Sequence, residues 1–291
     1  PIEIKYLNPS AGRLHERVAD AVMDAVARDA TGGHLLVFLP GADEIRRTAE
    51  MLSDFARREN LLLRPLHGSL PFEQQIQALE PTNQRKIILS TNIAETSLTI
   101  EGVTLVIDSG YARVAGYDAE RGLDRLDLKR ISDASAKQRA GRAGRTAPGT
   151  CIRLWTSKEQ VELTPFELPE IHRVDLCSTI LAMHGWGTSN PRMFGWFDAP
   201  SEDAIASAER LLAMLGALTS ETNGTITDIG RQMLDLPLHP RLGRLMIEAT
   251  RIGLSKQVAT LAALLSEKDV MRGGDPRDRA AKTAGASDLL Y

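Results

Sequence analysis

The sequence predicts an α/β protein: a parallel sheet flanked by helices, followed by a mostly helical remainder. Two patterns carry this expectation. Short apolar runs of strand length alternate with helical periodicity through residue 162. From Leu163 the alternation stops, Pro165 and Pro169 cluster, and helical patterns dominate.

In order, Leu14, Val18, Ala21, Val22, Ala25 and Val26 share one side of a helix over residues 13–29, ended by Gly32 and Gly33. HLLVFL at 34–39, stopped by Pro40 and Gly41, reads as a buried parallel strand. A helix over 43–58, a strand over 61–66, a helix with Pro71 in its first turn and strands over 86–89 and 103–107 continue the alternation. Residues 111–128 alternate with the period of a strand and turn around 118–122, which predicts a β-hairpin exposing Arg113, Arg121 and Arg125. A helix through 138–145 and a last strand over 150–155 follow, and Thr156 with Glu159 forms a capping box.

Helical patterns then cover 171–184, 202–215 and 228–234, and Asn223-Gly224 between the last two is a two-residue hairpin signal. Helices with one hairpin look like a winged helix. No basic recognition helix accompanies it, so a packing or spacer module is expected. Segments 242–251 and 256–267 open a partial helical bundle, while 273–286, rich in small and charged residues, reads as flexible. The expected domains are 1–162, 163–236 and 237–291.

A length of 291 residues suits such an arrangement. The net charge of −3 gives no general attraction to nucleic acid, so any such binding must come from a local cluster. Cys151 and Cys177 lack metal-ligand spacing and read as small core residues in a reducing compartment, so no metal site is expected and the cytoplasm is the expected location. No apolar run approaches the roughly 20 residues of a membrane span. The chain starts at Pro1 without a Met and reads as a piece of a longer protein, monomeric by itself.

The local cluster is QRAGRAGR at 138–145. On a helix Gln138, Arg142 and Arg145 fall within an arc of about 60°, with Arg139 pointing away. Two guanidinium forks and an amide on one face suit phosphate oxygens. A solvated basic face is the plainer reading, but Gly141 and Gly144 would each weaken such a helix by roughly 1 kcal/mol for nothing. Close approach to a ligand or neighbour accounts for them. Ser135 and Gln138 also have capping-box spacing, so Gln138 could cap its own helix. STNIAETSLTIEG after the third apolar strand is dense in hydroxyls, and fits either an ordinary turn or a binding loop.

Together these motifs resemble one family. QRAGRAGR resembles motif VI of superfamily 2 helicases in its DEAH-box form, with Gln where DEAD-box proteins usually have His. STNIAETSLTI at 90–100 is similar to DEAH motif V, LLVFLPGADEI at 35–45 to motif IV, and LHGSLPFEQQ at 66–75 to the segment after it. Asp108 and Gly110 match the D-x-G after motif V. ITDIGRQM and LPLHPRLGRLM resemble the winged-helix and ratchet regions. The likeness covers almost the whole chain, and its nearest branch is the bacterial HrpB-like DEAH helicases.

The resemblance implies a second RecA-like domain, a winged helix and the start of a ratchet domain. The phosphate-binding loop and the DEAH carboxylates that hold Mg²⁺ would come from a first RecA-like domain, and neither motif occurs here. It further implies that Arg142 and Arg145 are arginine fingers for ATP, with Gln138 at the γ-phosphate and lytic water. Thr99 and Glu101 would meet the ribose, Ser97 would sense phosphate state, and Gly141 would lie against the nucleotide. Gly41, Gly68, Ser69, Thr91, Asn92 and Arg113 would hold single-stranded RNA, or DNA, by its backbone. Leu79 stands where eukaryotic relatives often place a base-stacking aromatic, which implies acceptance of other NTPs. The hairpin resembles the family's strand-separating element. By itself the chain is expected to be inactive. A non-catalytic nucleic-acid or partner-binding module on the same scaffold is the alternative.

Overall fold

The computed structural model describes residues 1–7, 12–29, 31–96, 98–118, 123–145, 147–222 and 224–266. The chain divides into two compact units that meet between Pro169 and Glu170. Ser97, Arg121, Asn223 and the stretch 273–286 lie outside the described residues.

The first unit runs β1 (Ile2–Tyr6), α1 (Leu14–Arg28), β2 (His34–Phe38), α2 (Ala42–Arg58), β3 (Leu62–Leu66), α3 (Phe72–Leu79), β4 (Lys86–Ser90) and a 3-10 turn (Asn92–Ala94). It continues through β5 (Val103–Asp108), the antiparallel hairpin β6 (Tyr111–Asp118) and β7 (Leu123–Arg130), α4 (Asp133–Gly141), β8 (Gly149–Arg153) and α5 (Ser157–Val161). Six parallel strands pair in the order β1-β8-β5-β2-β4-β3.

The apolar run of β2 is continuous because both its faces are covered. Leu35, Val37 and Leu39 enter a core with α1 and α2. Leu36 and Phe38 enter another with Ala78 of α3, Ala94, Ile100, and Ala140 of α4. Leu79 packs against that second core. Lys86 has its ammonium on the carbonyls of Ala78 and Glu80 at the end of α3, at 2.9 and 2.7 Å.

Two local expectations needed correction, and one strand had no counterpart among them. Strand β1 was not foreseen: IEIKY alternates with charged residues, is exposed, and becomes a strand by pairing with the distant β8. Helix α4 starts earlier than the Ser135 to Gln138 spacing implied. Ser132 is its cap, accepting from the Ser135 N–H at 3.1 Å, which leaves Ser135 buried within the first turn and Gln138 mid-helix. And α4 ends at Gly141, so Arg145 stands beyond the helix and no single helical face carries Gln138, Arg142 and Arg145 together.

In the second unit, α6 (Cys177–Gly185), α7 (Glu202–Met214) and α8 (Asp228–Leu234) bury Ile180, Leu181, Ile205, Leu212 and Met233 around Leu218. An antiparallel bridge, Leu218 with Ile226, lies where the hairpin was expected. Helices α9 (Pro240–Arg251) and α10 (Ser255–Ser266) follow, with Ile247 of α9 against the same core. Among the described residues, no helix is long and apolar enough to cross a membrane.

Candidate nucleotide and nucleic-acid site

Three arginines from the QRAGRAGR stretch converge on one loop, residues 95–99. Arg139, 1% exposed, donates from Nε to Glu95 Oε2 at 2.9 Å and from a terminal nitrogen to Asp108 Oδ1 at 3.0 Å. Its guanidinium lies 4.9 Å from the Phe38 ring centroid. Burial opposes its charge, but Asp108 and Glu95 outweigh that and raise it above the ordinary guanidinium value. On a helical wheel Arg139 points away from the arc of Gln138, Arg142 and Arg145. The same direction, read as inward, with two acids elsewhere in the flanking motifs, could have identified it.

Arg142 caps the end of α4 and is 4% exposed. Its Nε donates to the Glu95 carbonyl at 2.9 Å, and its terminal nitrogens donate to the carbonyls of Glu95 and Leu98. Burial, then the neighbouring Arg145 charge, lowers it from the ordinary value. An anion beside the pair would relieve that repulsion. Arg145 is exposed and donates to Thr99 Oγ1 at 2.8 Å. Gln138 is exposed on α4. The two glycines differ in meaning. A Cβ on Gly141 would meet nothing within 4 Å, whereas one on Gly144 would lie 2.5 Å from Ile2 of β1. Gly144 admits a neighbouring strand, and Gly141 leaves open space.

The loop itself crosses the sheet from one end to the other. At the carboxyl end, the Thr91 N–H donates to Leu66 of β3 at 3.2 Å, and exposed Asn92 accepts from the Glu95 N–H at 2.9 Å. At the amino end, beyond Thr99 and exposed Glu101, the Gly102 carbonyl accepts from the His34 N–H at 2.7 Å. The residues singled out in the sequence therefore fall at both ends of the strands. Thr91, Asn92, Gly68, Ser69 and Gly41 lie there; Thr99, Glu101, Arg142 and Arg145 lie toward the amino ends of β5 and β8.

At the carboxyl end, exposed Ser69 hydrogen-bonds His67 at 2.9 Å, next to exposed Gly68. A Cβ on Gly41 would lie 2.7 Å from Arg113 Nε, so the end of β2 and the base of the hairpin touch. Arg113 pairs with Glu44 of α2 at 3.1 Å. The D-x-G turn is built tightly: Gly110 has φ +79°, a Cβ on it would lie 2.8 Å from Trp155, and its N–H donates to Asp108 Oδ1 at 2.9 Å.

The thiol of Cys151 is pushed up to about 12 by burial and that of Cys177 also rises, so both behave as small core residues. The sequence did not foresee that Asp175, Cys177 and His239 bring their ligand atoms within 4.8 Å of one another. Asp175 there accepts from the Cys177 N–H, the first of α6, at 2.8 Å and from His239 Nε2 at 3.1 Å, while His239 Nδ1 accepts from the Arg241 N–H and so caps α9.

Known proteins resemble this chain over most of its length. Residues 17–147 match the helicase conserved C-terminal domain, and residues 208–238 the winged-helix part of the helicase associated domain. The chain is 41% identical over 280 residues to the ATP-dependent RNA helicase HrpB of Escherichia coli K12, which covers 94% of this chain and 34% of that protein. It is 36% identical to the ATP-dependent RNA helicase HrpA of the same organism, over 99% of this chain and 22% of the relative. The crystal structure of the E. coli DEAH/RHA helicase HrpB superposes with a TM-score of 0.85 at 38% identity, covering 94% of this chain and 35% of that one. The chain thus spans about a third or less of the length of these curated relatives. These matches support the C-terminal part of a bacterial HrpB-like DEAH/RHA helicase: a helicase conserved C-terminal domain with the winged helix that follows.

Proposed function

We propose that this chain supplies one half of an inter-domain NTPase site in an RNA helicase, the other half coming from a first RecA-like domain with the phosphate-binding loop and DEAH carboxylates. Hydrolysis of ATP, and of other NTPs, would drive stepping along single-stranded RNA. The observation that carries this reading is exposed Arg145, held on Thr99 beside Arg142, with open space at Gly141. This donor set fits a polyphosphate. A guanidinium has five N–H groups, and the carbonyls engage one on each nitrogen of Arg142, leaving two for phosphate oxygens. Arg145 exchanges Thr99 for phosphate, Gln138 orients the lytic water, and Thr99 and Glu101 then face the ribose, with Ser97 reporting phosphate state. Mg²⁺ would be held by the carboxylates of the other domain and would supply charge neutralisation at the phosphates. At the opposite end, Gly41, Gly68, Ser69, Thr91, Asn92 and Arg113 hold the RNA backbone, which carries no sequence information. Residues 237–291 open a third, helical domain.

The fingers are preorganised against developing charge, and their loss lowers turnover by about 10³ or more. Arg145→Ala and Arg142→Ala in the full-length polypeptide are expected to abolish RNA-stimulated hydrolysis while a fluorescent nucleotide still binds. Near-normal hydrolysis in either variant refutes the finger assignment. The isolated chain is expected to show no hydrolysis. A full-length protein that binds RNA but neither binds nor hydrolyses nucleotide would favour the non-catalytic module instead.

A further inference from the structure

Glu95 makes three connections at once. Its N–H donates to the Asn92 carbonyl at 2.9 Å, at the end of the site assigned to the nucleic acid. Its own carbonyl accepts from Arg142 Nε at 2.9 Å, at the end assigned to the nucleotide. Its carboxylate, 14% exposed, is pinned by buried Arg139, which is in turn fixed by Asp108 at the end of β5 and by the Tyr111 carbonyl at the foot of the hairpin. Asn92 and Arg142 are therefore joined through the peptide groups of one residue, whose side chain is held by a buried cation. The sheet supplies the fixed frame, because Asp108 is fully buried and Phe38 of β2 lies under the Arg139 guanidinium.

We infer that Glu95 is a positioning residue that couples nucleic-acid binding at Thr91 and Asn92 to the aim of Arg142 and Arg145, its carboxylate being the pivot and Arg139 the pin. The inference rests on the functional reading above. It concerns a link between two binding events, not a contact with either ligand. Coupling of this kind is reciprocal and typically about 5-fold or more in affinity. The charge balance makes Glu95 the testable member of the triad. Removing it leaves Arg139 still paired with Asp108, whereas removing Arg139 leaves buried carboxylates unpaired.

The test is equilibrium binding of a fluorescent single-stranded oligo(U) RNA to the full-length polypeptide, with and without saturating AMP-PNP. The quantity read is the ratio of the two affinities. Glu95→Ala is expected to bring a wild-type ratio of about 5-fold or more to below about 2-fold, with the thermal midpoint shifted by only a few degrees and the RNA affinity without nucleotide nearly unchanged. Glu95→Gln, which keeps an acceptor for Arg139 Nε, falls between the two. A wild-type ratio retained in Glu95→Ala overturns the inference. Should that variant not fold, a wild-type ratio in Glu95→Gln overturns it equally, as does a wild-type ratio of one. No hydrolysis enters this measurement, so a failed finger assignment, read from turnover of Arg145→Ala, is distinguishable from a failed coupling role.

Discussion

Arg139 in the first unit and Glu209 in the second are buried alike, each 1% exposed, and each is paired with opposite charge. Their surroundings differ. Arg139 joins a loop, a strand end and a helix, and the loop it holds carries Thr99 against exposed Arg145. Glu209 meets Arg192, which also pairs with Glu202 at 2.7 Å, so that pair ties α7 to the turn at Pro191–Met193 and goes no further. On the reading proposed above, the same physical device serves as a positioning frame in one unit and as a staple in the other. Burial and pairing alone do not mark a functional charge; what the partner segment carries does.

The largest effect should break that comparison on the stability side. Arg139→Met, close in volume, leaves Asp108 and Glu95 without their cation and is expected to destabilise the first unit by about 3–5 kcal/mol in urea unfolding. Glu209→Ala leaves Arg192 partly exposed and still paired with Glu202, and should remove about 1–3 kcal/mol from the second unit without changing nucleotide-dependent RNA affinity. Equal losses of RNA affinity in the two variants would erase the distinction drawn here.

The second unit has a further charge to contrast, Asp175. Burial favours its neutral form, but hydrogen bonds from His239 and Cys177 prevail and hold it below the ordinary carboxylate value of 3.8. A depressed folded value means that its stabilisation is present above 3.8 and is lost as pH falls through the folded value. Asp175→Asn should therefore flatten the acid limb of the stability profile, read as urea midpoints below about pH 4. An unchanged limb would show that other carboxylates control it.

The smallest effect sharpens the site itself. Gly141→Ala meets nothing within 4 Å and should stabilise α4 by up to about 1 kcal/mol. If the nucleotide approaches there, the same change weakens nucleotide binding in the full-length polypeptide. A stabilised variant with unaltered nucleotide affinity would remove Gly141 from the site.

Much of this was legible beforehand. The strands from His34 to Phe38 and from Val103 to Asp108 announced themselves because both faces of a central strand demand apolar residues. The hairpin β6–β7 showed its period, and the Thr156–Glu159 capping box formed as its spacing implied. Strand β1 did not show, because an edge strand has little apolar demand and its partner lies at the far end of the unit. The cap at Ser132 was hidden by a second plausible cap three positions later. The role of Arg139 was hidden because no periodicity encodes which acid a guanidinium will meet.

Local chemistry, then, determined that the chain is α/β and then helical, that a basic, glycine-punctuated stretch is its distinctive feature, and which family it resembles. Those properties reside in residue order and short-range periodicity. Only the tertiary structure decided that Arg142 turns onto the carbonyls of Glu95 and Leu98, that Arg145 stays exposed, and that Glu95 bonds both Asn92 and Arg142. The contacts of Arg142 with Glu95 and of Arg145 with Thr99 depend on how segments 47 and 46 residues apart in the chain are packed across one sheet, and side-chain direction at such a crossing is set by packing and charge pairing rather than by sequence spacing.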